Sequence, residues 1–276
     1  MSKRTFVGIC VVPLAVLVVA FFLLPMARLI LTGASGQDGL RAYAAILLDP
    51  RYRATLFNTV FLAAATTIAT LVIATISGLF LQRHRFPGHA LLVAMLTFPL
   101  AFPGVVVGFM IILLAGRQGL LGDLTLHLFG TKEVFAYSLR GLFLGYLYFS
   151  IPRVILTIMA AAEKLDPSLE EAARLDGCSN IQAFYKIALP TTAPGLAATT
   201  IFCFLFSWNE LMMALTLTSL NVRTSPVFVI SEFVGYLAVE WGLLSAAGIL
   251  IVLPMLIFVV AIQKNLVRGL TMGAVK

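Results

Sequence analysis

The chain has 276 residues, of which 61% are hydrophobic and only 11% are charged, and its mean hydropathy is strongly positive. This composition excludes a soluble domain of ordinary proportions, because such domains carry about 25% charged residues. The formal net charge of +7 does not indicate nucleic-acid binding, because the basic residues are scattered along the chain and form no single basic face. The three cysteines and three histidines have no spacing typical of a disulfide framework or a metal site.

About six apolar stretches are long enough to cross a bilayer, since a hydrocarbon core of about 30 Å needs roughly 20 helical residues. The predicted spans are Phe6–Leu31, Leu56–Leu81, Leu91–Ala115, Val134–Ala162, Gly195–Leu220 and Leu243–Gln263. In hydrocarbon a helix satisfies its own backbone hydrogen bonds, whereas an isolated strand does not. The sequence therefore predicts an all-α integral membrane protein with a single transmembrane domain over residues 1–276.

Basic residues near the ends of these spans predict the orientation in the membrane. One set of span ends carries Lys3, Arg4, Arg83, Arg85, Lys164, Arg174, Lys186, Lys264, Arg268 and Lys276. The opposite loops also contain cations, but several have acidic neighbours. Because cytoplasmic loops are enriched in lysine and arginine, we expect both termini to be cytoplasmic. The first apolar run is too long for a signal-peptide core and lacks a clean cleavage site, so we expect it to remain in the membrane.

The third span contains two prolines and two glycines that weaken a helix from the end of its first third onward, namely Pro99, Pro103, Gly104 and Gly108. Each proline removes a backbone donor, so the sequence predicts a kink or a break there. Two interpretations remain open. Pro103 and Gly104 could expose backbone carbonyls along the path of a polar solute, or the small residues could permit close packing of neighbouring helices.

The loop between the fourth and fifth spans, residues 163–190, is predicted to form two short helices joined by a turn. Asp166-Pro167 is a helix start, because aspartate accepts hydrogen bonds from free amides and proline tolerates the first helical position. Gly177 supplies a left-handed stop. Ser179 and Gln182 have the spacing of a capping box for the second helix.

Pro190 is predicted to end this second helix, because the residue before a proline is pushed out of the helical region. Apolar residues share a face of each helix, and the small ones among them would let another backbone approach closely. These residues are Leu165, Leu169, Ala172 and Ala173 on the first helix, and Ile181, Phe184 or Tyr185, and Ala188 on the second. A DNA-binding helix-turn-helix is disfavoured, because acidic residues outnumber basic ones in this segment and would repel phosphates.

This loop resembles the signature loop of the membrane subunits of binding-protein-dependent ABC importers. The matching residues are Glu171, Ala172, Ala173, Gly177, Ile187, Leu189 and Pro190. Further segments are similar to the second permease of the maltose, glycerol-phosphate and trehalose importers: Arg85–Gly88, Phe206–Leu211, Arg223–Val227, Trp241–Leu244 and Val267–Lys276. The stretch from Phe102 to Gly119 is closer to polyamine-type permeases.

The resemblance implies a MetI-like bundle in the bacterial inner membrane. It implies that Glu171 makes a polar contact in a groove of a cytosolic ATPase, while Gly177 sets the angle between the two helices. The implied partners are a dimer of that ATPase, a second homologous permease and an extracytoplasmic solute-binding protein, with no cofactor. The implied solute is a carbohydrate or sugar derivative, with a polyamine or a phosphonate as the alternative.

The fifth predicted span contains Trp208, Asn209 and Glu210, and a carboxylate at bilayer depth marks a functional candidate. Glu210 could gate or contact a polar solute, with Trp208 stacking on a sugar face. It could equally belong to a helix-packing network, with Arg140 or Arg153 as its ion partner. Alternatively, the Arg153 side chain could extend to the cytoplasmic membrane surface, as arginines near span ends commonly do.

The chain contains no phosphate-binding glycine loop followed by lysine and serine or threonine, so we expect ATP hydrolysis to come from a partner. No constellation of catalytic residues is evident, and we expect no enzymatic activity. An ion-coupled secondary transporter, with Glu210 as its proton or sodium site, is the alternative from another class. The signature loop and the lack of an inverted duplication disfavour it.

Overall fold

Helices make up nearly all the regular structure in the computed structural model, which describes residues 3–35, 39–163, 167–219, 222–235 and 238–271. The fourteen α-helices in this part of the chain are α1 Lys3–Val18, α2 Leu24–Ala34, α3 Arg41–Leu48, α4 Pro50–Arg83, α5 His89–Thr97, α6 Gly104–Ala115, α7 Leu120–Phe129, α8 Leu139–Ala162, α9 Pro167–Leu175, α10 Asn180–Ala183, α11 Leu189–Asn209, α12 Met212–Leu217, α13 Ser225–Phe233 and α14 Trp241–Thr271. Two π-helical turns, Val19–Leu23 and Phe184–Ala188, and one 3₁₀ turn, Phe98–Ala101, complete the helical structure. The described residues contain no β-strand, only two isolated bridges, so the all-α prediction is confirmed.

Among the described residues, five helices are long and apolar enough to cross a membrane, and a bent pair of helices makes a sixth span if the pair is counted as one. The five are Val11–Ala34, Pro50–Arg83, Gly104–Phe129, Leu139–Ala162 and Trp241–Gln263. The bent pair is Phe184–Ala193 and Gly195–Asn209, whose axes differ by 64°. The break falls at residue 194, a proline, which cannot donate the backbone hydrogen bond that a straight helix requires.

The third predicted span is broken as expected, but its bounds were wrong. Helix α5 passes into the 3₁₀ turn, and the backbone is then extended at Phe102 and Pro103, with ψ angles of 140° and 148°. The apolar segment from His89 to Ala101 is therefore a short helix by itself, and the long apolar helix runs from Gly104 to Phe129. The sequence predicts too early a start for this span, because the apolar composition continues across the break.

The fifth predicted span also ends earlier than Leu220. Helix α11 stops at Asn209, Glu210 is extended with ψ of 114°, and the short helix α12 follows. The sequence predicts one span that includes the apolar residues after Glu210, because composition alone does not locate a helix end. This correction places Glu210 in a break between two helices.

Backbone contacts group the chain into two compact units, Met1–Leu56 with Ser225–Leu256, and Phe57–Thr224 with Ile257–Lys276. Helices α4 and α14 contribute residues to both units, and the expectation of one transmembrane domain stays a prediction. The core of the first unit contains Ala42, Ile46, Tyr52, Phe228, Val229, Phe233, Ala246, Ala247 and Leu250.

An ion-pair network lies at the surface of this first unit. Arg51 bonds Asp49 at 3.0 Å and Glu232 at 2.7 Å, joining the start of α4 to α13. Burial acts to raise the pKa of Asp49, but the hydrogen bonds and charge of Arg51 outweigh it and hold that pKa below its ordinary value. The carboxyl therefore stays ionised and paired at neutral pH.

In the second unit, α8 packs against α11 and α6 packs against α12. A core between α4, α8 and α11 contains Ala74, Leu79, Leu81, Val154, Ile155, Ile158, Ala162, Ala188 and Cys203. Gly108 of α6 lies so close to Thr216 that an added Cβ would overlap its hydroxyl oxygen. The close-packing interpretation of the small residues is thus confirmed for Gly108.

Candidate functional site

Residues 167–190, called the elbow below, adopt the predicted pair of helices with a sharp turn. Helix α9 ends at Leu175, and the turn after it contains Gly177, whose φ is 89°, a left-handed conformation that favours glycine. The Cys178 N–H donates to the Ala173 carbonyl at 3.0 Å, which is the long-range bond of a Schellman motif. The predicted stop at Gly177 is confirmed, whereas the predicted cap at Asp166 lies outside the described residues.

The second half of the elbow begins with the predicted capping box. The Ser179 N–H donates to Gln182 Oε1 at 2.9 Å, and the Gln182 N–H donates to Ser179 Oγ at 3.3 Å. This reciprocal pair satisfies two amides that a helix start leaves free. Both ends of the turn are therefore fixed by local hydrogen bonds that the sequence specifies.

The prediction that Pro190 ends the second helix was wrong. Helix α10 continues through the π-helical turn into α11, and the Leu189 N–H donates to the Phe184 carbonyl five residues earlier. Pro190 lies in the first turn of α11, where a missing donor is tolerated. Ile187 and Leu189 are half-buried along this continuous path, and Pro190 is exposed.

The elbow has a buried face of small residues and an exposed face of mixed character. Ala173, Ala183 and Ala188 are buried, and Ala188 belongs to the core of the second unit. The opposite surface exposes Leu169, Ala172 and Tyr185 of the predicted contact faces, together with Glu171 and Leu175. Leu175, the last residue of α9, is 90% exposed.

A second candidate site is a polar cavity of about 320 Å³ in the second unit. Its wall consists of Leu100, Phe102, Gly104, Tyr146, Phe149, Ser150, Arg153, Phe206, Ser207, Glu210 and Met213. The four contributions from α8 follow the spacing of one helix face, at positions 146, 149, 150 and 153. The segment before α6, the first residue of α6, the last turn of α11, Glu210 and the start of α12 form the rest of the wall.

Glu210 is held in this cavity by specific contacts. Its Oε1 accepts a hydrogen bond of 2.6 Å from the Met213 N–H, so the carboxylate caps the start of α12. The Tyr146 hydroxyl donates to the Glu210 carbonyl at 3.3 Å. A Cβ on Gly104 would lie 2.9 Å from Glu210 Oε1, so Gly104 is needed for this close approach.

The other predicted path residues do not line the cavity. Trp208 is 2% exposed and packs beside Phe204, with ring centroids 5.9 Å apart. Asn209 is exposed and donates to the Leu205 carbonyl at 2.9 Å. Pro103 is exposed at the start of α6. Of the five predicted residues, only Gly104 and Glu210 meet at the cavity surface.

The two arginines considered as partners of Glu210 have other neighbours, although Arg153 lines the same cavity. Arg140 approaches Glu133 at 3.8 Å. The Arg153 guanidinium lies 4.3 Å from the ring centroid of Phe206, a cation–π distance. No ion pair joins Glu210 to either arginine in the part of the chain that is described.

Sequence reasoning missed Tyr146, Ser150, Phe206 and Ser207 as lining residues, and it did not place Arg153 in a cavity. The lining residues of α8 could have been predicted from their spacing. Positions 146, 149, 150 and 153 bring polar and aromatic groups onto one face of an apolar span. The residues from α11 required knowledge of where that helix ends. Composition does not give that information.

Residues 71–272 match the protein family described as "Binding-protein-dependent transport system inner membrane component". The chain belongs to this family. As an inner membrane component, it is a multi-pass protein of the inner membrane, consistent with its apolar helices. The expected kinship with permeases of binding-protein-dependent importers is thereby confirmed.

This inner membrane component is also similar to individual transport proteins. It is 31% identical over 238 residues to the trehalose transport system permease protein SugB of Mycobacterium tuberculosis, covering 85% of this chain and 81% of the relative. It is 32% identical over 220 residues to the diacetylchitobiose uptake system permease protein DasC of Streptomyces coelicolor, covering 79% and 74%. A chain of a bacterial ABC transporter involved in alginate import has the same fold, with a TM-score of 0.79, 15% identity and 96% coverage of both chains.

Proposed function

We propose that this chain is a permease subunit of an ATP-driven ABC importer that translocates a carbohydrate or sugar derivative. The observation that carries the proposal is the elbow, where the signature residues Glu171 to Pro190 form two short helices with Glu171 and Leu175 exposed beside a glycine-fixed turn. An exposed surface that combines a carboxylate with apolar groups fits a groove on another protein. The names of the trehalose and diacetylchitobiose relatives support a sugar as the solute.

The proposed complex contains a dimer of a cytosolic ATPase, a second homologous permease and an extracytoplasmic solute-binding protein. The ATPase supplies all nucleotide chemistry, and this chain supplies the elbow that receives its motion. In the proposed topology both termini and residues 163–190 are cytoplasmic, as the distribution of basic residues favours. Glu171, Ala172, Ala173 and Gly177 would dock, while Ile187, Leu189 and Pro190 would connect the docked helices to the membrane.

The continuity from the elbow into α11 supports the proposed mechanism. The 21 residues of α11 run from Leu189 to Asn209 beside the cavity, with a bend of 64° at residue 194. Closure of the ATPase dimer would displace the elbow, and α11 would carry that displacement to Glu210. Gly104 and Glu210 would line the solute path, and Pro103, Trp208 and Asn209 would hold its walls as the permease pair pivots between inward-open and outward-open states.

Charge reversal at Glu171 tests this proposal. We expect Glu171→Lys to abolish solute uptake in cells and to leave the amount of protein in the membrane unchanged, because the change removes an exposed docking contact and no core contact. Glu163→Lys is the matched control, since Glu163 is an exposed acid at the start of the same loop. Disulfide crosslinks from Ala172→Cys to the ATPase would locate the contact directly.

Two outcomes would contradict the proposal. Uptake that persists in Glu171→Lys, with no crosslink from Ala172→Cys to an ATPase, would remove the coupling role of the elbow. Uptake that survives deletion of every accompanying ATPase would favour the alternative, an ion-coupled secondary transporter with Glu210 as the ion site.

A further inference from the structure

Two charged residues, Glu210 and Arg153, belong to the wall of the same cavity. The Tyr146 hydroxyl of α8 donates to the Glu210 backbone carbonyl at 3.3 Å. Arg153 is seven residues further along α8, which corresponds to about 10 Å along the helix axis. No ion pair joins the carboxylate and the guanidinium in the described residues.

The two charges differ in how the protein compensates them. Glu210 Oε1 accepts the 2.6 Å hydrogen bond from Met213 N–H. The Arg153 guanidinium lies 4.3 Å from the ring centroid of Phe206, and no carboxylate lies within ion-pair distance of it in the described ranges. Charged side chains inside membrane spans normally pair with an opposite charge or line a functional cavity. Arg153 lines the cavity and lacks the opposite charge.

A buried hydroxyl group lies beside the same cavity. Ser207 lines the same cavity and is 5% exposed, and its Oγ has no hydrogen-bond partner among the residues that the structure describes. A buried hydroxyl is normally hydrogen-bonded, because leaving it without a partner costs its desolvation. Ser207 can both donate and accept, as a polyhydroxylated solute requires.

Building on the proposed importer function, we propose that this cavity binds a sugar or polyol that carries a negatively charged group. The acid oxygens accept hydrogen bonds from the Arg153 guanidinium, whose planar fork matches carboxylate, sulfonate and phosphate oxygens. A sugar hydroxyl bonds Ser207 Oγ, and the exposed ring of Phe206 supplies an apolar surface for a sugar face. A polyamine is disfavoured at the Arg153 end, where it would meet a like charge.

Equilibrium binding of a matched pair of probes tests this proposal. The assembled transporter in lipid nanodiscs would be titrated calorimetrically with trehalose and with trehalose 6-phosphate, and separately with glucose and with glucuronate. Because a charge-assisted hydrogen bond adds to the contacts of the neutral sugar, we expect each acid to bind at least about tenfold more tightly than its neutral counterpart. Comparison of the phosphate and the carboxylate would identify the preferred acid.

Variants assign the preference to Arg153. Arg153→Gln should reduce the ratio of acid to neutral affinity to about one without weakening the neutral sugar, and Arg153→Lys should retain part of the ratio. Ser207→Ala should weaken both members of a pair equally. Arg140→Gln removes a cation of the same helix that does not line the cavity, and it should leave the ratio unchanged. Thermal unfolding of each variant in the same nanodiscs would confirm that it is folded.

Equal affinities for acid and neutral probes in the unmodified complex would overturn the proposal, as would equal weakening of both by Arg153→Gln or failure of all probes to bind. These outcomes are separate from failure of the importer function, which is measured by the effect of Glu171→Lys on uptake. An importer of neutral sugars would lose uptake in Glu171→Lys and show no acid preference.

Discussion

Two glycines of the broken third span have different roles, although they are four residues apart. Gly108 permits α6 and α12 to pack closely through Thr216. Gly104 leaves room for the Glu210 carboxylate, which caps α12 from the adjoining break in the chain. The two interpretations of the small residues, helix packing and a polar cavity wall, therefore apply to different positions of the same helix.

Substitution of Gly104 should displace the carboxylate from its cap. In Gly104→Ala the new Cβ would lie 2.9 Å from Glu210 Oε1, so this oxygen must shift, and the shift strains its hydrogen bond to the Met213 N–H. Loss of a helix cap typically costs about 1 kcal/mol, and we expect a loss of that size in stability together with reduced uptake. Chemical unfolding in detergent micelles and uptake in cells would measure the two effects.

Gly248→Ala is the control for this prediction. Gly248 also lies in a helix, but a Cβ there would meet nothing within 4 Å. The substitution should leave uptake unchanged and stabilise α14 by up to about 1 kcal/mol, the difference in helix propensity between alanine and glycine. If Gly104→Ala behaves like Gly248→Ala, the Glu210 cap does not contribute to stability or transport.

The residues that sequence reasoning placed correctly are those that local rules decide. Gly177 follows a short amphipathic helix, and Ser179 and Gln182 have the spacing of a reciprocal cap, so three to six neighbouring residues specify each feature. Arg153 and Ser207 come from helices brought together only by the packing of α8 against α11. No local pattern states which faces of two apolar helices meet, and so the cavity was not predicted.

At the level of elements, the passage from the elbow into α11 depends on the π-helical turn before Pro190. The wider turn lets the Leu189 N–H reach back five residues, and the proline then occupies the first turn of α11. The sequence rule that a helix ends before proline is a tendency, and here the helix continues. We propose that the elbow acts as a lever on α11, which bends by 64° at residue 194 and ends at Asn209.

The angle of this lever should depend on Gly177. With φ of 89°, a β-branched residue is strained at this position, and relief of the strain would rotate α9 against α10. We expect Gly177→Val to remain in the membrane and to lose uptake, whereas Gly177→Asn, which tolerates the left-handed region, should retain most of it. Uptake normalised to membrane content measures both variants.

Gly130→Val is the matched control for the strain itself. Gly130 ends α7 with φ of 72° and has nothing within 4 Å of an added Cβ, so it carries a similar backbone penalty away from the elbow. Gly130→Val should keep uptake at a similar membrane content. Equal loss of uptake in both variants would mean that general destabilisation, and not the elbow angle, causes the effect.

At the scale of the whole chain, exposed apolar side chains show which solvent the protein requires. In the first span, Val11–Ala34, no residue of the most apolar 18-residue stretch is buried, and the valines, leucines and phenylalanines are largely exposed. In water so much contiguous apolar surface would cause aggregation, whereas lipid tails cover it without cost. Composition predicts this lipid environment correctly, because the prediction needs no knowledge of packing. Composition does not give the orientation of the spans.

Orientation is accessible through the cysteines. If residues 163–190 are cytoplasmic, a membrane-impermeant maleimide should label the half-buried Cys178 only after the membrane is permeabilised. A background with Cys10 and Cys203 changed to alanine would leave Cys178 as the single thiol. In that background without Cys178, Thr131→Cys, an exposed position between α7 and α8, should be labelled in intact spheroplasts. Labelling of Cys178 in intact spheroplasts, with protection of Thr131→Cys, would reverse the orientation inferred from the basic residues and would place the elbow out of reach of any cytosolic ATPase.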